Sequence, residues 1–106
     1  MQILFDQGTP LPLRQALAGH QVATAYEQGW STLTNGELLL AAESAGFSLL
    51  VTTDTNLKYQ QDLRTRRIAI VVLGTTSWPR IRNVLPEVVR AIEGAQSATY
   101  VEIAIP

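Results

Sequence analysis

Two apolar runs, FSLLVTT (Phe47–Thr53) and RIAIVVL (Arg67–Leu73), constrain this chain more than any other feature. Neither alternates apolar with polar residues, so a strand formed by either must be covered on both faces. That pattern belongs to the middle of a parallel sheet with helices packed above and below it. The chain has 106 residues, 46% hydrophobic and 16% charged, which suits one folded domain with a single sheet.

The flanking segments fit this frame. Gln2–Phe5 is short, apolar and β-prone and ends at Asp6, with Gly8 and Pro10 following. The spacing of Leu11, Leu13, Ala16 and Leu17 predicts a helix closed by Gly19, and HQVATA reads as a second strand. Asn35–Ala45 is the clearest helix. Thr34 and Glu37 have the T-x-x-E spacing of a capping box, and Gly46 is the stop. A helix is expected from Asn56 to about Leu63. Another is capped by Ser77 and starts at Trp78, with Pro86 kinking it or opening a new helix that runs to Gly94. Ala98–Ile105 alternates and is expected at an edge of the sheet, where a second copy could pair to form a homodimer. The order β-α-β-α-β-α-β-α-β implies an α/β fold: a three-layer α/β/α sandwich around a mostly parallel five-stranded sheet.

Composition removes several chemistries. There is no cysteine, which excludes disulfides and thiolate-ligated metals, and the single histidine, His20, argues against a histidine zinc site. No apolar run approaches the roughly 20 residues of a membrane span, and MQILFDQG lacks the basic start of a signal peptide, so a cytoplasmic location is expected. Oxygen chemistry remains. Sheets of this type bind ligands at the carboxyl ends of their strands, where Asp6 follows the first strand and Asp54 the third. Two neighbouring carboxylates repel and are most easily kept together around a cation. With Glu37, Asn56 and Thr53 within the oxygen-bearing set, Mg²⁺ or Mn²⁺ is the matching ion. Asp54 also suits a helix cap, Asp6 a turn, and Glu37 its capping box. Six of the eight basic residues lie between Lys58 and Arg82, opposed there only by Asp62. Lys58, Arg64, Arg66 and Arg67 are thus candidate phosphate contacts for RNA, or alternatively a solvated face.

The segments ILFDQGTPLPL, GHQVATAYEQGW, NGELLLAAESAGFSLLVTTDTNLKYQQ and RRIAIVVL resemble, in order and spacing, the small bacterial PIN-like proteins. The resemblance covers nearly the whole chain. It implies a PIN-like fold and an Mg²⁺- or Mn²⁺-dependent endoribonuclease, often the toxin of a toxin–antitoxin pair with a small helix-turn-helix antitoxin as partner. It would make Asp6, Glu37 and Asp54 the catalytic carboxylates and Asn56 a further polar ligand to the metal. The chain departs from the family pattern at Gln7, where Glu is usual, and at Asn35, where Asp opens the helix. Gly8 and Thr9 replace an Asn and an apolar residue. The loss of two acids raises an alternative: a catalytically weak or inactive PIN-like module that binds a partner protein or RNA.

Overall fold

The computed structural model describes residues 1–57 and 66–106. Five strands, β1 (Gln2–Phe5), β2 (Gln21–Thr24), β3 (Leu49–Thr52), β4 (Ala69–Leu73) and β5 (Tyr100–Ile103), form one sheet in the order β2-β1-β3-β4-β5. All four pairings are parallel. The two constraining runs become β3 and β4, every residue of which is buried. β5 lies at one edge, as its alternation predicts.

Alternate residues of the central strands feed two separate cores. Ile3, Phe5, Leu49, Val51, Val71 and Leu73 face a cluster with Leu13, Leu17, Ile81, Val88 and Ile92. Leu4, Leu50, Ile70 and Val72 face the other side, against Leu38, Leu39 and Ala42 of helix α1 (Asn35–Ser44). The first cluster is covered by a 3₁₀ segment (Leu11–Leu17), helix α2 (Trp78–Asn83) and helix α3 (Leu85–Gly94). This is the three-layer sandwich. Burying each such aliphatic side chain stabilises the fold by about 1.5–3 kcal/mol relative to exposure.

Two expectations shift in detail. The segment after β1 is a 3₁₀ helix rather than an α-helix: it has no side-chain cap, and Pro12 in its first turn brings no N–H. β4 starts at Ala69 rather than Arg67, because the Arg67 N–H donates to the Glu43 carboxylate (2.7 Å) instead of to a neighbouring strand. Pro86 lies in the first turn of a new helix, α3, one of the two outcomes expected for it. Of the helix expected at Asn56–Leu63, only Asn56 and Leu57 fall within the described residues.

The connections are not all of one hand. α1 links β2 to β3 across one face of the sheet. α2 and α3 link β4 to β5 in the same direction across the opposite face. One of these crossovers therefore departs from the right-handed rule for parallel strands. The result for the site is simpler: the chain leaves β1 towards one edge and β3 towards the other, so a crevice opens beyond their carboxyl ends.

Candidate functional site

Parallel register sets the site. Phe5 is paired with Val51, so Asp6 emerges beside Thr52, and the Asp6 N–H donates to the Val51 carbonyl at 2.9 Å. Thr52 is only 1% exposed, and a hydroxyl buried that deeply needs partners. It donates to Asp6 Oδ2 at 2.8 Å and accepts from the Asp54 N–H at 3.1 Å. One buried hydroxyl thus ties together the two aspartates that the sequence places at strand ends.

The remaining carboxylate oxygens are also held. Asp6 Oδ1 accepts from the Gln7 N–H at 2.7 Å. Asp54 Oδ1 accepts from the Asn56 N–H at 2.9 Å, the turn-capping role, while Oδ2 accepts from Asn35 Nδ2 at 2.9 Å. Asp54 therefore caps its own turn and also anchors the first residue of α1. Each carboxylate oxygen has two lone pairs, so these contacts leave acceptor capacity on both groups. All four donors are neutral. Among the described residues, neither aspartate takes part in an ion pair.

The loop after β1 packs tightly over β3. Thr9 is buried, its hydroxyl donating to the Val51 carbonyl at 2.9 Å and its N–H to the Asp6 carbonyl at 3.0 Å. A β-carbon on Gly8 would lie 2.5 Å from Thr53 Oγ1, so the loop can approach β3 this closely only with glycine there.

The other candidates are placed differently. The Glu37 carboxylate accepts from the Thr34 N–H at 2.9 Å, and Thr34 Oγ1 accepts from the Glu37 N–H at 3.3 Å, which completes the capping box. The Thr34 N–H, with the Thr34 hydroxyl, holds the Glu37 carboxyl below the ordinary range. Asn56 meets Asp54 through its backbone and is exposed. Arg66 and Arg67 precede β4 and so sit at the amino end of the strands, on the order of 15–20 Å from the aspartates along the strands. Arg66 is there ion-paired to Glu43 at 3.0 Å. Lys58 and Arg64 lie outside the described residues.

A cavity of about 340 Å³ adjoins Asp6 on its β2 side, lined by Gln7, Thr9, Leu11, Arg14, Thr24, Tyr26 and Glu27 as well. Sequence reasoning missed it. Its signal was slight: an acidic residue directly after a tyrosine beyond β2, and a lone arginine in the 3₁₀ segment. Thr52 and the Asn35 amide were also missed as positioning groups, because their roles depend on pairing between distant segments.

Among the described residues, no three His, Asp or Glu side chains are grouped to hold a metal ion, and no helix is long and apolar enough to cross a membrane. Compared with protein-family models, curated proteins and solved structures, the chain matches none significantly.

Proposed function

We propose that the crevice beyond β1 and β3 is a divalent-cation site and that the chain is a PIN-like, Mg²⁺- or Mn²⁺-dependent endoribonuclease. The observation that carries this reading is the neutrality of the donors: backbone N–H groups, a threonine hydroxyl and an asparagine amide position Asp6 and Asp54 without cancelling their charge. The donor set is all oxygen with two carboxylates, which fits a hard cation that keeps most of its water shell. Asp6 and Asp54 would be its ligands. A cation bound there supplies Lewis acidity towards a phosphoryl oxygen and lowers the pKa of a bound water. Thr52 sets the direction of the Asp6 carboxylate, and Asn35 that of Asp54. Glu37 keeps the start of α1, and with it Asn35, in place. The same reading makes the chain a toxin with a small helix-turn-helix antitoxin as partner.

A second reading, a non-catalytic module binding RNA or protein, is favoured by Asn35. It stands where an acid would add charge, and here it donates to Asp54 instead. One experiment separates the two readings: cleavage of a mixed-sequence single-stranded RNA with Mn²⁺, with chelator, and with Asp54→Asn. Manganese-dependent cleavage that vanishes in both controls is expected. A folded, antitoxin-free protein that does not cleave would sink the nuclease reading and leave the module.

A further inference from the structure

The cavity beside Asp6 has features the metal site does not use. Tyr26 is 77% exposed and Leu11 57%, among the described residues the largest exposures of large apolar side chains other than Leu40 on α1, and both line this one cavity. Single exposed apolar residues are ordinary; two flanking a concave site next to a carboxylate are not. Nor is Tyr26 exposed for want of structure around it. Its turn is clasped by Thr24 and Glu27, each of which donates its N–H to the other's side chain, at 2.9 and 3.0 Å. The Ala25 N–H is bonded to the Phe5 carbonyl at 2.9 Å. The ring is presented from a fixed turn.

The polar lining is equally ordered. Arg14 donates to Glu27 Oε1, and that bond, ahead of the Thr24 N–H, holds the Glu27 carboxyl below the ordinary range. Gln7, exposed beside Asp6, adds an amide with both donor and acceptor atoms. At about 340 Å³ the space is near the lower limit of small-molecule sites, enough for one nucleoside but not for a duplex.

We propose that this cavity is a nucleobase subsite: one base of a single-stranded RNA stacks on Tyr26 against Leu11, with Gln7 and Glu27 facing its edge. The inference rests on the reading of Asp6 and Asp54 as the place where the phosphodiester lies, since the cavity shares Asp6 with that site. An exposed aromatic platform binds any base through its π-face, which suits a nuclease that selects single strands over duplexes.

The test is a titration of the chain with adenosine, guanosine, cytidine and uridine in chelator, read by amide chemical shifts. Shifts should concentrate at Gln7, Leu11–Arg14 and Thr24–Glu27. Tyr26→Ala should weaken binding about tenfold or more, while Tyr26→Trp retains it. Leu40→Ala, at a site 60% exposed but on α1, should change nothing. Both tyrosine variants alter an exposed side chain, so misfolding does not confuse the result. Shifts that are absent, scattered, or indifferent to Tyr26→Ala overturn the subsite even if manganese-dependent cleavage is found. Tyr26-dependent binding without any cleavage keeps the subsite and removes the nuclease. Concentration-dependent broadening of the same amides without nucleoside would assign this face to a second copy of the chain and overturn the proposal.

Discussion

The two ends of the central strands each hold carboxylates, and they treat them in opposite ways. At the amino end, before β4, Glu43 meets the Arg66 guanidinium at 3.0 Å and the N–H groups of Arg67 and Ile68 at 2.7 and 3.4 Å. Its charge is answered on the spot. Beyond β1 and β3, Asp6 and Asp54 are oriented just as closely, yet among the described residues only by neutral groups. A carboxylate serving the fold is best neutralised, whereas one serving a cation is best aimed and left charged. The contrast is what the cation-site proposal for Asp6 and Asp54 rests on.

A crossed pair of variants attacks this contrast most directly. Asp54→Asn should lower manganese-dependent cleavage at least about 100-fold, since even partners of metal ligands cost up to that much. Its thermal stability should change little, because Oδ1 can still accept from the Asn56 N–H, and the new NH₂ can donate to the Asn35 amide once that amide turns over. Glu43→Gln should do the reverse: cleavage kept, stability lowered by about 1–3 kcal/mol, as hydrogen bonds to a charged group are lost around Arg66. Denaturant melts beside cleavage assays would decide it. If both variants behave alike, the distinction between the two ends fails.

Thr52→Val sharpens the same comparison. It keeps the β-branched shape but removes the donor to Asp6 Oδ2 and the acceptor for the Asp54 N–H, both part-buried. The expected loss is about 1–3 kcal/mol, with weaker Mn²⁺ binding by calorimetry. Unchanged metal affinity would mean that the hydroxyl is a structural filler and does not aim Asp6.

Acid titration gives a smaller, signed effect at the amino end of the strands. Burial acts to raise the Glu43 pKa, but the N–H groups of Arg67 and Ile68 and the Arg66 guanidinium outweigh it and hold the group below the ordinary value of 4.5. A depressed folded pKa means that the unfolded chain takes up the proton first as pH falls. The stabilisation is therefore fully present above about 4.5 and is lost as pH drops through the lower folded value. Glu43→Gln should flatten the stability–pH curve in that window. An unchanged slope would place the acid sensitivity elsewhere, for example at Glu37 or Glu27, whose carboxyls are lowered too.

How much of this was legible beforehand follows from the range of each interaction. The unbroken apolar runs of β3 and β4 announced a doubly covered parallel sheet, and Thr34-x-x-Glu37 announced the start of α1, because periodicity and capping are local. Asp6 and Asp54 could be named because strand ends follow from strands. The partners of those aspartates could not. Thr52 reaches Asp6 across 46 residues, and Asn35 reaches Asp54 across 19. Arg66 and Arg67 follow Asp54 closely in sequence, yet they lie just before β4, at the amino end of the strands.

The smallest effect is expected beside Arg67, at Ala98. Its φ of 64° lies in the left-handed region, which costs an L-residue about 1–2 kcal/mol. The Ala98 N–H donates to the Arg67 carbonyl at 2.9 Å, and Ser97 Oγ donates to the same oxygen at 2.7 Å. The strained residue thus ties the lead-in of β5 to the lead-in of β4 at the charge-neutralised amino end of the strands. Glycine would relieve the strain but free the unfolded chain by about 0.5–1 kcal/mol, so Ala98→Gly should stabilise by a net of about 0.5–1 kcal/mol. Cleavage should not change, because this end is a strand length away from the aspartates. A loss of stability would show that the methyl group packs at the strand lead-ins strongly enough to outweigh its backbone cost. A change in cleavage would be the more damaging result, since it would couple two ends that the comparison treats as independent.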